Sequence, residues 1–118
     1  MIKPNLQSAV HNLIIYDLAI RTLNYNLPTI EELKTGSIYK AYTESLLIEL
    51  RKDYKPLKQQ LMLERISIVK WQQVDQFFSD VIVSTSGNDQ SLRYAKKVLQ
   101  YEVDSLLNKI ALRLVVNT

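Results

Sequence analysis

The sequence predicts an all-α domain, a small helical bundle of four to five helices, and three observations predict it. The chain has 118 residues, 47% hydrophobic and 23% charged, which is enough for one core and too few for two. Only two glycines and three prolines punctuate it, so turns are few and elements long, which favours helices. Apolar side chains also recur at helical spacing along much of the chain. The competing reading keeps the bundle and adds a minor two-stranded β-ribbon around residues 66–70 and 81–85.

The first helix is expected over about Leu6 to Asn24. On a helical projection Asp17, Arg21 and Asn24 fall on one narrow stripe, with the acid four residues before the base in the favourable order. Leu13, Ile14, Ile15, Leu18, Ile20 and their neighbours cover nearly all the rest. Asp17 therefore marks the only wet side, and so much apolar girth calls for burial in a bundle or against a second copy. Leu13, Ile14, Ile15, Leu18 and Ile20 are accordingly the candidate self-association residues, and a homodimer is the expected assembly.

Thr29 and Glu32 have the spacing of a capping box and Gly36 suits a left-handed C-cap, so a short helix is expected between them. A third helix spans about Ser37 to Tyr54, with Lys40, Glu44 and Arg51 on an exposed strip. Pro56 is expected to stop or kink it, because proline lacks an N–H and disfavours a helical residue before it. A further helical piece follows, about Leu57 to Arg65. "ISIVKW" is ambiguous, since its β-branched residues favour a strand. Trp71 to Ile82 is expected to be a helix, because Trp71, Val74, Phe77, Phe78, Val81 and Ile82 share one arc. "STSGND" is then a turn, with Asn88 or Asp89 capping a last helix from near Ser91 towards Val115. Leu92, Ala95, Leu99, Val103, Leu106 and Ile110 form its inner seam.

Several chemistries are excluded by residue type. There is no cysteine, hence no disulfide, thiolate zinc site or cysteine nucleophile. His11 is the only imidazole, so no multi-histidine metal site can form, and a carboxylate-only site has no recognisable spacing. Gly36 and Gly87 stand apart, so neither the dinucleotide fingerprint nor the phosphate loop can be written. A Ser8–His11–Asp17 set would lie on a helix with no strained elbow to expose a nucleophile. No catalytic residue, metal or cofactor is expected. The N-terminal apolar run is broken by His11, Asn12 and Asp17, and no run approaches the ~18 residues of a membrane span. The cytoplasm is the expected compartment, with no membrane partner. Abundant Ile, Lys, Asn and Tyr with scarce Gly, Ala and Pro point to an AT-rich bacterial or phage genome.

The net charge is +3, but its distribution says more. Residues 1–50 carry −1, 51–71 carry +4, 72–92 carry −3 and 93–118 carry +3. Arg51, Lys52, Lys55 and Lys58 lie near a helix C-terminus, where cations are favoured in any case. Arg93, Lys96 and Lys97 are expected in the first turns of the last helix, where the dipole disfavours them. Positive charge set against local stability suggests an anion, either a phosphate backbone or an acidic protein face. Tyr94 and Tyr101 accompany it and could stack on bases. These five are the candidate partner-binding or anion-binding residues. A helix-turn-helix over residues 29–54 is the weaker idea, since its second helix offers Ile38, Tyr39 and Tyr42 with only Lys40 basic. The leading expectation is a non-enzymatic interaction or regulatory protein that self-associates and binds a protein partner. The alternative is a nucleic-acid-binding protein using Arg93, Lys96, Lys97 and the Arg51–Lys58 segment.

Overall fold

A computed structural model describes residues 2–116. A single 3₁₀ turn at Pro4–Leu6 leads into α1 (Gln7–Glu31) and α2 (Gly36–Leu63). Three strands follow, β1 (Ile66–Gln73), β2 (Phe78–Thr85) and β3 (Asn88–Ala95), and α3 (Lys96–Val116) ends the described chain. The strands pair antiparallel in the order β1-β2-β3. The architecture is α+β, which corrects the expected all-α bundle of four to five helices.

Two local misreadings account for the difference. Residues 71–82 match a helical arc, yet they are the end of β1, a turn and the start of β2. Period two wins from Val81 onward: Val81, Val83 and Thr85 point inward and are buried, and β-branched residues fit a pleated, half-buried surface. The two segments weighed as ribbon arms do pair, but within a larger sheet whose third strand, residues 88–95, takes the expected turn end and the first residues of the expected last helix, from Ser91 on. Ser86 and Gly87 make the two-residue turn between β2 and β3, both at positive φ (55° and 90°), as a type I′ hairpin requires. "STSGND" is therefore a hairpin turn, not a helix cap.

The helices err in the other direction, by running on. α1 continues through Pro28, and the Glu32 N–H donates to the Thr29 carbonyl to close its last turn, so no capping box starts there. α2 continues through Pro56 for two further turns. Tyr54 and Leu57 pack on the core on either side of that proline and Leu61 is fully buried, so packing outweighs the lost hydrogen bond. Gly36 is not left-handed. It opens α2 where an added Cβ would stand 2.5 Å from the Ile30 carbonyl oxygen, so its role is close approach rather than a special φ.

Two apolar clusters fill the interior. One joins Val10, Leu13 and Ile14 of α1 to Leu61 of α2 and to Ile66, Val81 and Val83 of the sheet. The other joins Ile15 and Ala19 of α1 to Leu46 and Leu50 of α2 and to Leu99, Val103 and Ile110 of α3. Trp71 and Tyr94 pack against both. Leu13, Ile14 and Ile15 are thus buried within one chain, and Leu18 and Ile20 are partly covered by the second cluster. The girth of α1 is satisfied by its own sheet, α2 and α3. Leu13, Ile14 and Ile15 offer no surface to a second copy, while Leu18 and Ile20 keep part of theirs.

Candidate partner-binding surface

Asp17 is at the centre of the molecule, not on its wet side. The residue is 9% exposed, and its carboxylate accepts hydrogen bonds from Arg21 Nε (2.7 Å), Trp71 Nε1 (2.8 Å) and Tyr54 Oη (3.1 Å). One acid thereby ties α1 to α2 and β1. Burial, with the adjacent Asp17 charge and hydrogen bond, pushes the Tyr54 phenol up to about 12. A second knot lies on the other side of α1. Tyr16 donates to Asp53 (3.0 Å), and Arg113 of α3 reaches Asp53 (2.8 Å) and Glu49 (3.3 Å). Burial, then the bond to Asp53, pushes the Tyr16 phenol up to about 12 as well. Internally paired and, apart from exposed Arg21, buried or half-buried, these groups hold three helices and the sheet together.

The five sequence candidates are divided by the fold. Arg93 stands on β3, not on a helix, directly opposite Asp80 of β2, and forks onto it at 2.9 and 3.2 Å. That bond holds the Asp80 carboxyl below its usual range and raises the guanidinium. Tyr94 points into the core, stacks on His11 and hydrogen-bonds its Nδ1 at 3.2 Å. Burial raises its phenol too. Tyr94 is thus engaged within the fold, while Arg93 stays exposed but carries Asp80 as its own counter-charge. Lys96, Lys97 and Tyr101 remain, on the first turns of α3, with Tyr101 72% exposed. Among the described residues neither lysine has an ion-pair partner.

The tertiary structure adds two residues beside them. The β1–β2 turn presents Phe77 (60% exposed) and Phe78 (40% exposed). Asp75 shapes this turn by accepting from the Phe77 and Phe78 N–H groups at 2.7 and 2.9 Å. The Lys96 N–H donates to the Phe77 carbonyl at 2.8 Å, which pins the aromatic turn to the start of α3. A groove of about 370 Å³ runs between the two phenylalanines and the two lysines. Across Lys96 lies a second groove of about 380 Å³, lined by Leu18, Trp71, Leu99 and Val103 and also by Asp104. Sequence reading missed Phe77 and Phe78 because it placed them on the inner arc of a helix. The signals that could have found them are Asp75 two residues ahead and the period-two run "VIVST" just after.

This whole arrangement lies inside a segment that one family model covers: the model described as YhjD protein matches residues 1–114. The chain belongs to the YhjD protein family. No curated protein and no solved structure matches it. No group of three or more metal-ligating side chains comes together among the described residues, and no described helix is long and apolar enough to cross a membrane.

Proposed function

We infer that this chain is a non-enzymatic interaction protein of the cytoplasm, and that it binds an acidic, apolar segment of a protein partner along the two grooves that meet at Lys96. The observation that carries this reading is the fixed pairing of exposed Phe77 and Phe78 with Lys96 and Lys97, which have no ion-pair partner among the described residues. Aromatic side chains that remain in water contribute most when a partner covers them, and unpaired cations at the rim select an acidic partner and speed encounter. Both lysines sit at the positive pole of α3, where a partner carboxylate also meets the helix dipole. Nucleic acid fits this surface less well. Arg93 is held by Asp80, Lys52 by Glu49 and Lys58 over the Tyr54 ring, so three of the seven expected cations already have a partner within the chain.

The test uses the chain as bait in extract of its own host cell, as wild type, as Phe77→Ser/Phe78→Ser and as Lys96→Gln/Lys97→Gln. The reading expects a protein retained by wild type at moderate salt and lost by both variants, whose circular dichroism and melting stay unchanged. Retention of the same proteins by all three baits would refute it. Binding of mixed-sequence duplex DNA at or below ~1 μM in ~0.15 M salt would put the nucleic-acid alternative first.

A further inference from the structure

The first half of α2 shows an apolar stripe on the side that faces away from the core. Thr43, Leu46, Leu47 and Leu50 are buried, as expected of a helix packed on one face. On the opposite face Ile38, Ala41, Tyr42, Ser45 and Ile48 are all exposed, with Ile38 at 69% and Ile48 at 56%. Ile38, Ala41, Ser45 and Ile48 follow the three-and-four spacing of a helix-pairing seam. Between Ile38 and Ile48 that line carries no charge, and Lys52, the next position along it, is paired with Glu49. Its one hydroxyl is already satisfied, because Ser45 Oγ donates to the Ala41 carbonyl at 3.0 Å. Covering the seam therefore strands no polar group.

We propose that this outer face of α2 is where two copies of the chain pair, across a twofold axis near its midpoint. The order of sizes argues for a second copy. It runs large, small, small, large, so it reads the same in both directions. Whichever way the partner helix runs, Ile meets Ile at the ends and Ala or Ser meets Ala or Ser at the centre. Crossing helices come closest at the centre and diverge from it, so small residues permit the approach and the isoleucines fill the widening ends. Charge agrees: a chain with net +3 opposes its own copy over most of its surface, but an uncharged seam does not. An anionic lipid surface would want a basic rim, and here the flanks carry Glu44 and the Glu49–Lys52 pair. The contact is one helix pair about three turns long, below the ~1,200 Å² of a stable interface, so the dimer is weak, in the range of high micromolar.

This inference uses a surface remote in sequence from Phe77 and Lys96 and does not rest on the partner reading. Sedimentation equilibrium of the full chain from about 10 μM to about 500 μM spans the affinities of interest. The average mass should climb from 13.7 kDa towards twice that value and should not fall back as salt is raised. Ile48→Glu sets like charges on the seam and, at an exposed site, should leave folding intact and the chain monomeric throughout. Lys96→Gln/Lys97→Gln should associate like wild type. A monomeric wild type at the highest concentration, association by Ile48→Glu equal to wild type, dissociation by salt, or loss of association in the lysine variant would each overturn the proposal.

Discussion

Replacing Asp17 by alanine tests the internal architecture most directly. A solvent-facing acid paired only with Arg21 would cost ~0.3–0.5 kcal/mol when removed, the usual worth of an i,i+4 pair. The observed surroundings predict far more. Arg21 is mostly exposed and recovers water, so its share stays near that small figure. The Trp71 N–H and the Tyr54 O–H are half-buried and lose their acceptor, at ~1–3 kcal/mol each. The sum is ~2–6 kcal/mol, similar to the ~2–5 kcal/mol expected of Leu13→Ala in the adjacent core. Asp17→Asn keeps the shape and one acceptor oxygen, so its loss should fall between wild type and alanine. Urea unfolding followed by far-UV circular dichroism and by tryptophan emission measures this, and Trp71 is the only tryptophan, so the emission reports on the knot itself. With an m-value of ~1–3 kcal/mol/M, the alanine midpoint should drop by roughly 2 M. A double-mutant cycle with Trp71→Phe should show coupling of at least ~1 kcal/mol. A loss of ~0.5 kcal/mol or less for Asp17→Ala would mean the acid is not the buried junction described above.

Other outcomes can be checked alongside it. The Tyr16 and Tyr54 phenols titrate at about 12 in the folded chain against about 10 when unfolded, so the folded state holds more protons between these values and stability falls as pH rises through them. Tyr16→Phe/Tyr54→Phe should flatten that alkaline loss in denaturant titrations, and an unchanged slope would contradict it. Gly36→Ala should lower the melting temperature although alanine is favoured by ~1 kcal/mol in a helix, because its Cβ meets the Ile30 carbonyl; a stabilised variant would contradict that close approach. Arg93→Gln should destabilise the chain at neutral pH, the opposite of relieving repulsion at a helix start. The difference from wild type should vanish as acid protonates Asp80, whose carboxyl Arg93 holds down, and equal stabilities at neutral pH would refute the pairing.

The boundary errors share a cause. Helical periodicity was legible in α1, in α2 and in the Leu99, Val103 and Ile110 seam of α3, because each buries one long face. The prolines were read by local rules, yet Pro28 and Pro56 lie inside helices, and for Pro56 tertiary contacts on both sides hold the chain in line. Over 71–82 Trp71, Val74, Phe78 and Val81 follow the three-and-four spacing of a helix, and only pairing partners overrule it. Ile66 to Gln73 finds Phe78 to Thr85, and Thr85 finds Asn88 across a two-residue turn. Of the candidate surface, Lys96, Lys97 and Tyr101 were legible because their charge conflicts with a helix start or their spacing faces outward. Phe77 and Phe78 were not, since an apolar residue carries no mark of being left in water.

The sequence by itself determined enough apolar residues for a core and a few long helices, without cysteine chemistry, a multi-histidine metal site or a glycine-rich phosphate loop, and with a positive end. Those properties follow from residue type and one-dimensional spacing, which no folding can change. The tertiary structure decided the three-stranded sheet, the burial of Asp17, the capture of Arg93 by Asp80, and the meeting of Phe77 with Lys96. Each of these joins residues distant along the chain or across a strand pair. A carboxylate reads as exposed on a helical projection whenever only its own helix is considered, and it becomes a buried junction once Tyr54 and Trp71 arrive from 37 and 54 residues away.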